Sequence, residues 1–268
     1  VRGRKMIRLY LESAKCEVKR MLQYKANSLL YLTVVLIPPL ALFFLWKTIL
    51  SHGGSIGGYN LSDMVTYFIV TQFFVMNTPY SAWIEIGESI KDGSLSLWLV
   101  KPVNHYLLYL FRLIGSWIIQ WIFGIAGVIV VSIILKDYVV IPKEASTYFL
   151  SILFWMGGIV IGFSYGYILN LLSFWFERST YIIYFSEGIV ALLSGMLIPL
   201  DLLPAKSLWL FLPFKFCGYV PAQIFLGKMT GLDIAFEFAS MAIWIFVLVS
   251  LSHLVFKIGS RRFTASGG

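Results

Sequence analysis

Residues 194–228 read SGMLIPLDLLPAKSLWLFLPFKFCGYVPAQIFLGK, a stretch almost as apolar as a membrane span but interrupted by Pro199, Pro204, Pro213 and Pro221. Each interior proline removes a backbone donor and clashes with the preceding turn, which excludes one straight helix. In hydrocarbon the freed carbonyls need partners inside protein or in a water-lined cavity. The form expected is a broken helical hairpin that dips into the membrane and leaves on the side it came from. Leu200 to Pro204 lead in, Ala205 to Leu212 make one short helix, and Val220 to Lys228 make a second, closed by Gly227 and Lys228. The plainer alternative is a proline-rich loop held down by its aromatics.

Composition agrees with a membrane setting. Of the 268 residues, 59% are hydrophobic and 13% charged, and the mean hydropathy is +0.83, far from the values of a soluble domain. A formal charge of +8 would suggest nucleic acid as a partner of a soluble chain. Here the placement of the charge matters more than its size, and no nucleic-acid partner is expected.

Six apolar spans surround the hairpin: Leu29 to Leu50, Met64 to Ile84, Tyr106 to Leu135, Thr147 to Leu172, Tyr181 to Ile198 and Asp233 to Val255. About 20 such residues cross the hydrocarbon layer, so the fold class expected is all-α integral membrane with six transmembrane helices. Pro38 and Pro39 should kink the first span, Pro79 lies near the end of the second, and Arg112 near the start of the third is free to snorkel. In the fourth, Gly158, Gly162 and Gly166 recur along one face. Small residues at that spacing let two backbones meet, within one protomer or between two. Glu187 falls inside the fifth span. An ionisable group at that depth marks function by default; the bland alternative is a carboxyl hydrogen-bonded to a residue such as Tyr184. Ser51 to Asn60, with His52, reads as a solvated loop, and Glu177 and Arg178 as part of a tight turn.

Ahead of the first span, Ile7, Leu11, Ala14, Val18, Met21 and Leu22 recur at three- and four-residue steps opposite Arg8, Glu12, Lys15, Lys19, Arg20 and Gln23. This is the pattern of a basic amphipathic helix in the membrane interface, unlike the short apolar core of a signal peptide. The organisation expected is therefore an interface helix over 1–27, a membrane domain over 28–258 and a tail over 259–268. Six spans place both termini on one side. Arg2, Arg4, Lys5, Arg8, Lys15, Lys19, Arg20, Lys25, Lys91, Lys101, Arg178, Lys257, Arg261 and Arg262 gather there, which the positive-inside rule reads as the cytoplasm. The hairpin 199–228 then lies outside, with Ala205 and Lys215 reachable from that side. Cys16 and Cys217 fall on opposite faces, so no disulfide between them is expected.

The segment Glu85 to His105, EIGESIKDGSLSLWLVKPVNH, is too short and too charged to span. Its first turn ends at Gly93, a candidate left-handed helix stop. Two motifs resemble a known family. Ile90, Gly93, Leu95, Leu99, Val100, Lys101 and Pro102 resemble the cytoplasmic coupling loop of ABC-2 type permeases, the membrane subunits of one class of ATP-driven exporters. Ser194, Gly195, Pro199, Pro204, Pro213, Phe214, Pro221, Ile224, Phe225 and Gly227 resemble the region after the fifth span of the same proteins.

The resemblance implies a coupling helix that inserts into a separate ABC ATPase. Ile86 and Ile90 would form its apolar plug, with Glu85, Glu88, Lys91 and Asp92 as a charged rim; an ordinary amphipathic connector is the alternative. The outer hairpin would gate a path between two permease protomers, in a homodimer or a heterodimer. Its candidate gate residues are Pro199, Leu203, Pro204, Pro213, Phe214, Pro221 and Phe225, with Leu210 and Phe211 adding apolar surface. It also implies a multi-pass protein of the plasma membrane, in a bacterium the cytoplasmic membrane.

No G-x-x-x-x-G-K-[ST] phosphate loop occurs, so ATP and Mg are expected on the ATPase and no cofactor on this chain. No H-E-x-x-H, G-x-S-x-G or C-x-x-C pattern occurs either, so catalysis and a metal site are not expected. The function expected is an exporter permease for an amphipathic or lipophilic, drug- or lipid-like substrate. The competing class is a membrane enzyme or assembly factor with an outer-face site.

Overall fold

Local side-chain chemistry sets where the helices of this chain start and stop. The computed structural model describes residues 2–23, 25–50, 54–78, 84–176 and 179–263. Helix α1 spans Arg2–Gln23 and α2 spans Lys25–Ile49, running on through Pro38 and Pro39. Helix α3, Leu61–Met76, opens on a reciprocal cap in which the Asn60 side chain and Asp63 each accept the other's N–H, satisfying two orphan donors. Then come α4 (Ile84–Lys91), the single turn α5 (Ser96–Leu99), α6 (His105–Ile134) and α7 (Ala145–Leu171). Helix α8 is Ser179–Leu193, α9 Lys206–Phe211, α10 Tyr219–Phe225 and α11 Gly231–Ser260. Among the described residues the fold is all helical, apart from an isolated bridge between Ile56 and Tyr59.

Residues 145–174 and 231–260 are long and apolar enough to cross a membrane, and α6 makes a third if its two arms, bent by 42°, form one span. Shorter apolar helices at 36–49, 61–76 and 181–193 fall where the remaining spans are expected. Two of these stop early. The second expected span ends at Met76 instead of Ile84, because Asn77 and Thr78 bond back to the carbonyls of Phe73 and Phe74, both at 2.7 Å. Pro79 follows and disfavours a helical predecessor; it lies with residues 80–83 outside the described residues, as do His52, Glu177 and Arg178. The fifth ends at Leu193 instead of Ile198. Gly195 takes φ 81°, Tyr219 N–H donates to the Ser194 carbonyl at 2.8 Å, and the Tyr67 hydroxyl donates to the Gly195 carbonyl at 2.7 Å.

Helix α7 is the axis of the packing. Against it lie α11, α10, the short 3-10 turn at Pro213–Cys217, α4 and α8. Gly158, Gly162 and Gly166 are all buried. A Cβ at Gly158 would sit 2.3 Å from the Phe216 carbonyl oxygen, so this glycine admits the turn's backbone inside one protomer. Gly158→Leu is therefore expected to push the turn off α7 and sharply lower the yield of monodisperse protein in gel filtration. Gly188→Ala, with nothing within 4 Å, should behave as wild type.

Two of the four apolar clusters among the described residues flank the segments of interest. One joins Tyr59, Met64, Tyr67, Phe68, Phe154, Leu200, Phe216 and Val220 near the broken segment. The other joins Ile86, Ile90, Leu95, Tyr106, Tyr109, Phe163 and Tyr167 beneath α4. Cys16 is exposed, Cys217 buried, and both are free thiols.

Candidate functional site

The α4–α5 segment has an inner and an outer face. Ile86 and Ile90 share one side of α4 at i,i+4 spacing, and that side is turned inward. Ile86 is 0% and Ile90 7% exposed, packed with Leu95, Tyr109 and Leu171. This corrects the expectation that they form a plug for a partner. The physical reason is the closeness of α4 to the chain behind it: a Cβ on Gly87 would meet Ser173 Oγ at 2.7 Å. The bare apolar surface instead belongs to Leu97, Leu99 and Val100, the last 82% exposed. Lys101 Nζ lies 4.2 Å over the Trp98 ring beside it. Glu88, Lys91 and Asp92 are exposed on the same outer side. The Ser94 hydroxyl and N–H hold the Asp92 carboxyl below its ordinary pKa, so it stays charged.

Glu85 is only half a rim residue, since it ties the segment to two other helices. Its carboxylate accepts from Arg20 of α1 at 2.9 Å and from Arg112 of α6 at 3.2 Å. Arg112 also donates through Nε and Nη2 to Glu17 of α1 at 2.8 and 2.6 Å, and Arg20 Nε stands 2.7 Å from the other Glu17 oxygen. Glu17 is 5% exposed. Thus Arg112 is fixed in protein and does not snorkel to water. Helix α1 lies directly on α6, for a Cβ at Gly115 would be 2.2 Å from the Ala14 carbonyl oxygen. Tyr10 stacks on Phe111 at 5.6 Å, and its hydroxyl accepts from Asn104 N–H at 3.0 Å. The stripe Ile7, Leu11 and Leu22 stays exposed, so α1 carries a packing face beside its apolar and basic ones. The sequence signal for this network was Glu17, an acid within a basic run.

The broken segment forms two short helices and two tight turns close to the bounds read from the prolines. Gly227 takes the left-handed conformation, φ 67°, that ends α10, and Gly93 does the same after α4. Of the candidate gate residues, Pro199, Pro213 and Pro221 are buried, Leu203 is partly buried and Pro204 is exposed. Phe214 packs edge-on against Tyr165 at 5.0 Å and Phe225 against Tyr148 at 5.4 Å. Phe216, not singled out from the sequence, is the fully buried phenylalanine here. The expectation that Lys215 is reachable from solvent is overturned: it is 2% exposed, paired with Glu237 of α11. Ala205 is exposed. Behind the segment, the Tyr59 hydroxyl donates to Asp201 at 2.9 Å and accepts from Gln223, while Lys228 bonds the Gly58 carbonyl at 2.8 Å. Burial first, then the Asp201 charge, push the Tyr59 hydroxyl's pKa up, keeping it a donor.

A sequence model of the ABC-2 family transporter proteins matches residues 36–267. The chain belongs to that family. None of the curated proteins compared with the chain matched it. As an ABC-2 transporter, it is a multi-pass membrane permease, and the matched part takes in α4, α5 and the broken segment. Helix α1 precedes it.

In this ABC-2 permease, Glu187 sits on a helix covered along one stripe alone. Ile183, Ser186, Val190 and Leu193 of α8 face the protein, whereas Tyr184, Phe185 and Ile189 are exposed. Glu187 is partly exposed beside them and has no hydrogen-bond or ion partner among the described residues. The hydrogen bond to Tyr184 weighed from the sequence is not formed. Among those residues no group of three or more His, Cys, Asp or Glu is placed to hold a metal.

Proposed function

We propose that this chain is the permease subunit of an ATP-driven ABC exporter and that a separate ATPase docks on Leu97, Leu99 and Val100. The observation that carries the reading is the bare apolar ridge of α5, flanked by Glu88, Lys91 and Asp92. An exposed apolar patch with a polar rim marks a partner site. Behind it, the buried packing of Ile86 and Ile90 on Tyr109 and Leu171 backs the ridge, and Glu85 adds contacts to α1 and α6, so a push on the ridge reaches the third span. ATP and Mg belong to the ATPase, and this chain supplies no catalysis.

In this reading α2, α3, α6, α7, α8 and α11 make six spans, with both termini in the cytoplasm and α1 in the inner interface. The two short spans sit under the broken segment, a re-entrant hairpin of the outer face. Two protomers, identical or related, meet across the uncovered face of α8. That places Glu187 in protein instead of lipid, where a charge is costly. The path between them suits an amphipathic or lipophilic substrate, given walls rich in aromatic residues.

Single cysteines decide the topology in intact cells of the host. Val100→Cys should react with an impermeant maleimide only after the membrane is opened, and Ala205→Cys without opening. The reverse pattern would overturn the orientation and the docking surface with it.

A further inference from the structure

We infer that the groove between the hairpin and α11 binds a zwitterionic phospholipid, its phosphate on Lys215 and its ammonium on Glu237. The groove encloses about 730 Å³ between α9, the Pro213–Cys217 turn and α11. Lys215 and Glu237 both line it, with Ser207 and Ser240 as further polar groups. Lys215 Nζ lies 2.8 Å from one oxygen of Glu237 and 2.6 Å from the other. An ammonium has three donors, and among the described residues Lys215 has no acceptor besides Glu237. The hydrogen bond goes to one Glu237 oxygen alone, and the other has no hydrogen-bond partner among the described residues, so at least one donor is left for a ligand at a side chain that is 98% buried in the protein, its exposure being 2%.

Packing alone does not account for the pair. Well-packed apolar residues of similar volume commonly hold two elements together as well as a buried ion pair does. An ionisable pair within a membrane segment is a functional candidate by default. Glu237 lies six residues into α11, about 9 Å from its end at 1.5 Å per residue. That is the depth of a lipid's headgroup and upper glycerol region. Ile243 and Val247, further along α11 toward the bilayer centre, offer a track for an acyl chain.

Charge selects the headgroup. Lys215 and Glu237 together are neutral, so a phosphate on the spare Lys215 donor adds a net negative charge beside Glu237 that a further cation must offset. A phosphate and an ammonium in one headgroup satisfy both. The rings of Phe211, Phe236 and Trp244 also line the groove, and aromatic faces attract a quaternary ammonium. A purely anionic lipid would meet Glu237 with like charge, and a diacylglycerol offers the Lys215 donor neutral oxygens alone, which make weaker hydrogen bonds than a phosphate. The leaflet follows from the proposed orientation, but binding does not, so the two can fail separately.

Native mass spectrometry of the delipidated chain in detergent tests this with dioleoyl phosphatidylcholine, phosphatidylglycerol and diacylglycerol as probes. One phosphatidylcholine per chain should bind about tenfold or more tighter than either of the others, a difference of about 1.4 kcal/mol. Lys215→Met combined with Glu237→Gln should remove that preference. Ser240→Trp, which fills the groove and keeps the ion pair, should abolish binding even if the double variant does not fold. Equal affinity for the three lipids, preference for phosphatidylglycerol, or full binding by the Ser240→Trp protein would overturn the assignment.

Discussion

Replacing Arg112 with leucine is expected to destabilise the folded chain by about 3–5 kcal/mol, the cost of removing one partner from a buried ion pair. Arg112 is 19% and Glu17 6% exposed at the side chain, so the carboxylate left behind has little water to replace the guanidinium. Arg20 still reaches Glu17, but from the more exposed side. Thermal unfolding of the purified protein should show the loss, and limited proteolysis should release α1 first. Glu85→Gln makes the informative contrast. Its carboxylate is 40% exposed, so its two contacts resemble surface pairs worth about 0–1 kcal/mol. An Arg112→Leu protein as stable as wild type would show that α1 is held by Tyr10, Ala14 and its other packing contacts alone.

Leu97→Asp with Val100→Asp is expected to abolish substrate-stimulated ATP hydrolysis in the assembled transporter while leaving the permease folded. Fully burying a Leu or Val side chain is worth about 1.5–3 kcal/mol, so losing both weakens docking by about two powers of ten or more. The free chain loses little, since both residues are exposed. Ile86→Asp should do the opposite. A charge at a position with 0% exposure has no partner and costs several kcal/mol, so that variant should fail to fold. Coupling that survives the double substitution would move the docking surface elsewhere.

That the chain is built of apolar helices was legible because hydrocarbon burial leaves a plain signal in composition. The breaks at Pro199, Pro204, Pro213 and Pro221, and the left-handed stops at Gly93 and Gly227, were legible because backbone chemistry there is local. Early endings at Met76 and Leu193 were harder to read. They depend on Asn77 and Thr78 competing for helix carbonyls, and on the Ser194 carbonyl finding Tyr219, 25 residues on. Periodicity placed Ile86 and Ile90 on one face but carries no information on whether that face meets this chain or another. For the same reason Glu17 with Arg112, and Lys215 with Glu237, escaped notice: Arg112 read as a snorkelling charge, Lys215 as a reachable one, and nothing in the sequence singled out the partner that a distant segment brings to each. Phe214 and Phe216 are two residues apart, and hydropathy does not say which one the fold buries.

Crosslinking from a photoreactive side chain at Val100, in membranes containing the complete transporter, tests the central claim most directly. The expected product joins this chain to a subunit whose sequence carries a G-x-x-x-x-G-K-[ST] phosphate loop, with the same probe at Ala205 giving none. Crosslinks from Val100 to lipid or to this chain alone, while Ala205 captures the nucleotide-binding subunit, would contradict it.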